Sequence, residues 1–442
     1  MKRHLLCLSA WVLCFDSISL AARTYEIRPA TVENDEEFER LANALQPGDE
    51  LVLRGGIYSQ TGRRAVTAQG TPEQPIVIRA ASGEAPLLTR PADNIDRQNN
   101  IEFVDCAHLV IRGLRFQGGS SGIRFIRGHH VTLEGCEVFE TGNNALTMNS
   151  GNCQAFVIRS NHIHHTGLST RGPTEGEGMY IGCHDGKCRT TDSLIEGNYI
   201  HHTRSTSDGG NDGIEIKFGS HGNVVRNNVI HDTNLGRQYP GIFVYGGGPG
   251  TNLVEGNVIW HAGEGIQVVS DAVVRNNIIF DCRATGITAA PHAAVPHVRN
   301  ATIVHNTVFN APIGVRIQWS KAANMRFANN AVYCPNGTAV RADGLGTALL
   351  RGNAVQGRLA GLAVDNRQLF DGGTTASAFG EASQHDFWPK PGSALLGRAD
   401  AGCAPMLDFN SIQRTAPFDV GAYEAEERER NPGWAIQPGF KR

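Results

Sequence analysis

A four-residue phrase recurs eight times between residues 161 and 356 of this 442-residue chain. It reads Asn, a variable residue, Ile or Val, and then His or an aromatic residue, with Gln356 closing the last copy. The asparagines that open it are Asn161, Asn198, Asn228, Asn257, Asn277, Asn306, Asn330 and Asn353. Their spacings are 37, 30, 29, 20, 29, 24 and 23 residues. Such spacing indicates a solenoid whose coils gain loops at one corner.

A second phrase alternates with the first and consists of Gly or Ala followed by apolar residues at every other position. It occupies 122–126, 145–149, 178–182, 213–217, 241–245, 265–269 and 314–318. Period-two alternation is typical of strands with one buried face, and no helical pattern separates these segments. We therefore predict an all-β, right-handed parallel β-helix whose aligned asparagines hydrogen-bond along the stack. A propeller or a sandwich is the alternative fold.

The two ends of the chain differ from the repeat. A basic start, a short apolar run and small residues at the exit predict a signal peptide over 1–22, and hence a secreted or periplasmic protein. A buried structural helix is the alternative for this segment. We expect one β-helix domain over 23–424, with coils at about 50–356 and an irregular C-terminal cap over 357–424. A charged tail is expected over 425–442.

An amphipathic helix is expected ahead of the first coil. Asn34 is a plausible N-cap, with Glu37 three residues later, and Phe38 and Leu41 follow at helical spacing. This helix would cap the open apolar end of the solenoid.

Composition excludes some partners. The 40 Lys and Arg residues against 43 Asp and Glu give a net charge of -3, which opposes bulk attraction to nucleic acid or an anionic membrane. No stretch after the leader is apolar enough to span a membrane, and we expect a monomer. Removal of the leader leaves eight cysteines, of which Cys183 and Cys188 are the predicted local disulfide pair. The other pairings stay open.

The segments 48–58, 75–80 and 419–424, together with the asparagine repeat, carry a family resemblance. They resemble secreted polysaccharide lyases of the β-helix type over roughly residues 25 to 424. The resemblance implies the β-helix fold and an acidic polysaccharide as the partner. It specifies activity less well, because lyases, epimerases, glycoside hydrolases and inert surface proteins share this architecture.

The alternation predicts which side chains leave the core. In the segment 213–217 the isoleucines point inward, so Glu215 and Lys217 point outward. Parallel strands lie about 4.8 Å apart, so residues at equal positions form columns. One predicted column contains Tyr180, Glu215 and Phe243, and its neighbour contains Gly182, Lys217 and Tyr245. Acidic loops at 175–177 and 208–212 lead into these strands, and long insertions on one face typically mark the binding side.

These columns suit the elimination chemistry that the resemblance implies. Cleaving a uronic-acid glycoside in this way requires neutralising its carboxylate, removing the C5 proton and protonating the leaving oxygen. We predict Lys217 as the base and Tyr245 as the acid, with Glu215 as a third catalytic residue. Carboxylates are hard ligands that suit Ca²⁺, and the predicted ligands are Glu177, Asp208, Asp212 and Glu215. Substrate contacts are predicted for Tyr180, Phe243, Arg237, His221, Gln267 and Arg316.

The segment 211–217 is similar to calcium-dependent lyases of the chondroitinase B and alginate lyase type, but it is more compact. Those enzymes pair acidic metal ligands with a downstream lysine, which the resemblance places at Lys217. They carry an arginine on the following coil, where this chain has Tyr245.

Other interpretations of the same residues remain open. His164, His201 and His231 share a repeat position with aromatic residues, so we interpret them as a stacking ladder rather than as catalysts. The pair of Lys217 and Glu215 is also compatible with a solvated surface ion pair. Three alternative functions stay open: a uronate C5-epimerase, a glycoside hydrolase using Glu215 with Asp212 or Glu177 as paired carboxylates, and a non-catalytic carbohydrate-binding surface protein.

Overall fold

The computed structural model describes residues 22–29, 36–207, 210–233, 239–365 and 367–425. The predicted signal peptide and charged tail lie outside these residues, apart from Ala22 and Ala425. Short strands pair in parallel on successive coils, which confirms the predicted all-β parallel β-helix. Among the described helices, none is long and apolar enough to cross a membrane.

The first stack of strands, here called the site stack, carries the Gly-initiated phrase. Its separate strands are Ala65–Val66, Leu146–Met148, Met179–Ile181, Ile214–Ile216, Pro240–Val244, Glu264–Val268, Thr285–Ala289 and Ile313–Ile317. Two long strands, Ile101–Arg112 and Ile123–Glu134, begin in this stack and continue into the second. Two others, Ala331–Ala342 and Asn353–Ala360, reach it from the third.

The second and third stacks complete each coil. The second contains Thr24–Ile27, Glu50–Leu53, Ile76–Ala80, Val157–Arg159, Leu194–Glu196, Val224–Arg226, Asn252–Glu255, Ala272–Arg275, Ala301–Val304, Arg326–Ala328 and Leu349–Arg351. The third, here called the ladder stack, contains Ile57–Ser59, Leu87–Thr89, Arg115–Gln117, Glu137–Phe139, His162–His164, Tyr199–His201, Val229–His231, Val258–Trp260, Ile278–Phe280, Thr307–Phe309 and Leu369–Asp371. Cys153–Gln154 and Thr190–Thr191 form a further parallel pair. Apolar side chains from all three stacks fill one core.

The repeated asparagines form a buried hydrogen-bonded ladder at the corner between the second stack and the ladder stack. From Asn161 to Asn330, each side-chain Nδ2 donates to Oδ1 of the asparagine on the next coil at 2.9–3.0 Å, and Asn353 is the last acceptor. The same Oδ1 atoms accept backbone N–H groups, so the ladder satisfies polar groups that the turn would otherwise bury unpaired.

The aromatic position of the repeat also stacks, as predicted. The ring centroids of His164 and His201 lie 5.1 Å apart, and those of His201 and His231 lie 5.0 Å apart. Trp260 continues the stack at 4.3 Å from His231. These histidines are therefore part of a packing ladder on the ladder stack, away from the strand that carries Glu215.

Short helices lie near both ends. The first helix, Glu37–Ala42, begins later than predicted, with Glu36 in its N-cap position. Its residues Phe38 and Ala42 join the core, but its role as a cap stays a prediction. The other helices are Thr375–Ala378 and the 3₁₀ turns Ala92–Asn94, Ala382–Gln384 and Ala401–Cys403.

The C-terminal segment packs along the outer face of the ladder stack. Its antiparallel pair, Phe379–Glu381 with Asp386–Pro389, brings Phe387 to 5.3 Å from Phe309 and Phe379 to 4.7 Å from Tyr333, measured between ring centroids. These side chains form a second apolar cluster, separate from the interior of the coils.

The predicted disulfide between Cys183 and Cys188 is confirmed. Six further cysteines in the described part of the chain are buried free thiols: Cys106, Cys136, Cys153, Cys282, Cys334 and Cys403.

Candidate active site

Two columns of the site stack bring the predicted catalytic residues together. Tyr180 pairs with Glu215 on the adjacent strand, and Glu215 pairs with Phe243 on the next coil. Lys217 and Tyr245 each come directly after the strand of their coil and therefore lie one above the other. In a parallel register, residues at the same position of successive repeats lie side by side, so residues 28 positions apart in the sequence become neighbours.

The Lys217 ammonium lies between two tyrosine rings. Its Nζ is 4.3 Å from the Tyr180 ring centroid and 5.0 Å from that of Tyr245, and it forms an ion pair with Oε1 of Glu215. Burial lowers the pKa of Lys217, but the adjacent Glu215 and Tyr180 outweigh this effect and leave the pKa above its ordinary value. Burial also raises the pKa of Tyr180 to about 12 and raises that of Tyr245. At neutral pH both phenols therefore keep their protons.

These columns point away from the core, but they are covered. Phe243 and Tyr245 retain 6% and 3% of their surface, and they share a small buried apolar cluster with Val269 and Val295. The ring of His292 stands 4.7 Å from Tyr245 and 5.7 Å from Phe243. The alternation thus predicts the direction of these side chains but not their burial, since the covering loop after Thr285–Ala289 has no periodic pattern.

A cluster of three buried carboxylates adjoins Lys217. Glu177, Asp212 and Glu215 each offer an oxygen within 4.8 Å of the others. Each also has a buried oxygen without a hydrogen-bond partner among the described residues. Burial, reinforced by the neighbouring carboxylates, raises the pKa of Glu177 and of Asp212 well above the usual range. Asp208, the fourth predicted ligand, lies outside the described residues.

The cluster fits a divalent cation. Ionising all three carboxylates would leave two negative charges beyond the Lys217 ammonium, which burial opposes and a bound cation would favour. In the described part of the chain, Asn211 and Thr147 also have buried oxygens without a hydrogen-bond partner. At Gly210 a Cβ would lie 2.6 Å from Asp212 Oδ2 and 2.9 Å from Glu177 Oε1, so the glycine keeps open space beside the carboxylates. An all-oxygen donor set of this kind is what Ca²⁺ prefers.

The remaining predicted substrate contacts are more scattered. Gln267 lies in register beside Phe243, and the Nδ1 atom of His221 is 2.9 Å from the carbonyl of Gly219. Arg316 lies further along the same column and pairs with Asp343 at 3.1 Å. Arg237 lies outside the described residues.

Several residues of the site were missed by the sequence analysis. His292 reaches the Tyr245 ring from the covering loop, and His184 reaches it from the disulfide loop at 6.3 Å between centroids. Asn211 precedes Asp212 in the chain, and Thr147 pairs with Tyr180 on the adjacent strand. A signal for Thr147 existed, because it occupies the Tyr180 column one coil earlier. The two histidines lie in irregular loops, for which the repeat provides no register.

Coils whose short strands stack in parallel define the class of parallel β-helix proteins. The chain belongs to the family described as Pel9A-like, right-handed β-helix region, whose model matches residues 21–330. The predicted right-handed β-helix is thereby confirmed. No curated protein matches the chain.

Solved structures share the fold at low sequence identity. The pectate lyase Pel9A has 14% identity and a TM-score of 0.52, and the match covers 92% of this chain and 98% of that one. The A-module of the Azotobacter vinelandii mannuronan C-5 epimerase AlgE6 has 18% identity and a TM-score of 0.54, over 76% of this chain and 91% of that one.

Proposed function

We propose that this protein is a polysaccharide lyase that cleaves a uronic-acid-containing polysaccharide by β-elimination. The observation that supports this most directly is the placement of Lys217 between Tyr180 and Tyr245, beside a buried carboxylate cluster. The family of the chain agrees with this class of reaction, since the structures similar to it include a pectate lyase.

In this mechanism Lys217 accepts the C5 proton in its neutral form. Glu215 opposes that form while its carboxylate pairs with the ammonium. If Glu215 held a cation instead, its carboxylate would no longer stabilise the Lys217 ammonium, and the neutral amine would be favoured. Tyr245 holds its proton because burial raises its pKa, and the phenol donates this proton to the leaving oxygen.

Glu177, Asp212 and Glu215 would hold a Ca²⁺ ion. When bound there, the ion would neutralise the substrate carboxylate and stabilise the charge that develops as the C5 proton leaves.

The test is a panel of pectate, alginate and glycosaminoglycan substrates, followed by ultraviolet absorbance of the unsaturated product, with Ca²⁺ and with a chelator. We expect one polymer to yield the product and Lys217→Ala to lower kcat by about 10²- to 10⁴-fold, because a positioned base contributes that much. Lys187→Ala is the matched control, since this lysine is 85% exposed in the neighbouring disulfide loop.

Full activity of Lys217→Ala, or no unsaturated product on any polymer, would contradict the proposal. Exchange of the C5 proton without chain cleavage would identify an epimerase. Activity that survives the chelator would remove the calcium role and leave that of Lys217 intact.

A further inference from the structure

Histidines and one aspartate gather at the corner where the strands of the ladder stack end. We call His202, His231, Asp232 and His261 the histidine corner. His231 ends the strand Val229–His231, and the other three residues follow the strand of their coil with left-handed backbone φ values of 50 to 56°. The corner belongs to a different stack from Lys217.

The aspartate lies between two imidazoles. Asp232 Oδ2 is 2.7 Å from Nδ1 of His231, and Asp232 Oδ1 is 3.4 Å from Nδ1 of His261. His202, His231 and Asp232 each offer a ligand atom within 4.8 Å of the others. These three residues, together with His261 beside Asp232, bring three imidazoles and one carboxylate from consecutive coils to one corner. Imidazole and carboxylate are ligand types that Zn²⁺ and similar borderline metals accept.

Stacking accounts for the position of the His231 ring plane but not for the polar contacts of its two nitrogens. His201 and Trp260 hold the ring plane from both sides, at 5.0 and 4.3 Å between centroids. Nδ1 faces Asp232, and Nε2 is 2.9 Å from the hydroxyl of Tyr199. Histidines that bind metals usually engage the second ring nitrogen in this way, which fixes the tautomer and the orientation of the ring.

The corner is also accessible from solvent. The side chain of His261 is 51% exposed and that of Asp232 is 24% exposed, whereas His231 is 11% exposed. An ion can therefore enter from the side of His261 and reach His231, whose ring orientation is already fixed by packing.

We propose that the histidine corner binds a divalent transition-metal ion, with Zn²⁺ as the species to test. The site is separate from the carboxylate cluster and differs from it in chemistry, because imidazoles favour borderline metals whereas carboxylates favour Ca²⁺. The inference does not depend on the proposed lyase activity.

The experiment uses the full chain without a histidine tag, stripped with chelator and held in excess Ca²⁺ while Zn²⁺ is titrated by calorimetry. We expect one Zn²⁺ per chain at the corner. Asp232→Asn and His261→Gln should each weaken binding by more than about tenfold, and Tyr199→Phe by about tenfold through loss of orientation. Circular dichroism checks that each variant is folded.

Two controls separate this site from others. His129→Gln disrupts a second histidine group, formed by His108, His129 and His130, and should leave the affinity unchanged. Glu177→Gln, in the carboxylate cluster, should also leave it unchanged. No stoichiometric Zn²⁺ binding, unchanged affinity in both Asp232→Asn and His261→Gln, or loss of binding in His129→Gln would each overturn the proposal.

Discussion

At the scale of single residues, the candidate active site depends on a cluster of buried carboxyl groups. Glu177, Asp212 and Glu215 are between 1% and 3% exposed, and Lys217 forms an ion pair with Glu215. The protein thus holds three carboxyl groups close together, and Gly210 leaves open space beside Asp212 Oδ2 and Glu177 Oε1. Such an arrangement is costly without a ligand of positive charge.

Calcium should therefore stabilise the protein through these carboxylates. We expect the unfolding temperature to rise when Ca²⁺ is added to chelator-treated protein, because an ion that binds only the folded state stabilises it. Glu177→Gln should lose most of this rise, as measured by differential scanning calorimetry. Asp185→Asn, which alters an exposed carboxylate of the disulfide loop, is the control and should keep it. An equal rise in both variants would contradict the assignment.

At the scale of elements, the asparagine ladder fixes the corners of the coils. Asn228 is fully buried, donates from Nδ2 to Asn257 Oδ1 and to the carbonyl of Ile195, and accepts from Asn198. The ladder thereby ties each coil to its two neighbours by bonds perpendicular to the strands. It also provides hydrogen-bond partners for backbone groups in the turns that do not take part in strand pairing.

Breaking one step of the ladder should weaken the fold measurably. We expect Asn228→Ala to cost at least about 1–3 kcal/mol, because it leaves buried donors and acceptors on both adjacent coils unpaired. The measurement is the guanidinium midpoint of unfolding. Gln69→Ala removes an exposed amide whose Nε2 donates to the carbonyl of Asp105, and it should change the midpoint little. Similar midpoints for both variants would show that the ladder contributes little to stability.

At the scale of the whole molecule, the C-terminal segment is anchored to the flank of the solenoid. Arg414 is buried, pairs with Glu424 and donates to Asn276 of the coils. His305 is buried nearby, where it bonds Asn329 at 2.8 Å and its Nδ1 lies 3.3 Å from the carbonyl of Gly421. Burial, followed by the charge of Arg414, lowers the pKa of His305 well below its ordinary value.

This histidine should make the anchoring sensitive to acid. Its pKa is depressed on folding, so the unfolded chain binds the proton first, and stability falls as pH drops below about 6.5. We expect His305→Gln to lose less stability than the natural protein between pH 7 and pH 5, measured by denaturant midpoints at both values. Equal losses would contradict the role of His305. His385→Gln, a half-exposed histidine of the same segment, is the control.

The repeat made the architecture predictable because a parallel stack converts sequence period into spatial position. The asparagine spacing and the period-two alternation were enough to predict the coils, the ladder and the column of Tyr180, Glu215 and Phe243. The local disulfide followed from the five-residue separation of its cysteines. Each of these features depends on short-range pattern or on equal repeat position.

What lies outside the repeat could not be predicted in this way. The burial of Phe243 and Tyr245 depends on the loop that carries Val295 and His292, and irregular backbone has no register to extrapolate.

By itself, the sequence determined the coils and which side chains share a column, because strand pairing is periodic and local. Only the tertiary structure decided which of those side chains are covered and which carboxylates converge, and it alone brought His261 to Asp232. Those outcomes depend on where irregular loops and corners pack, and packing is a property of the assembled chain.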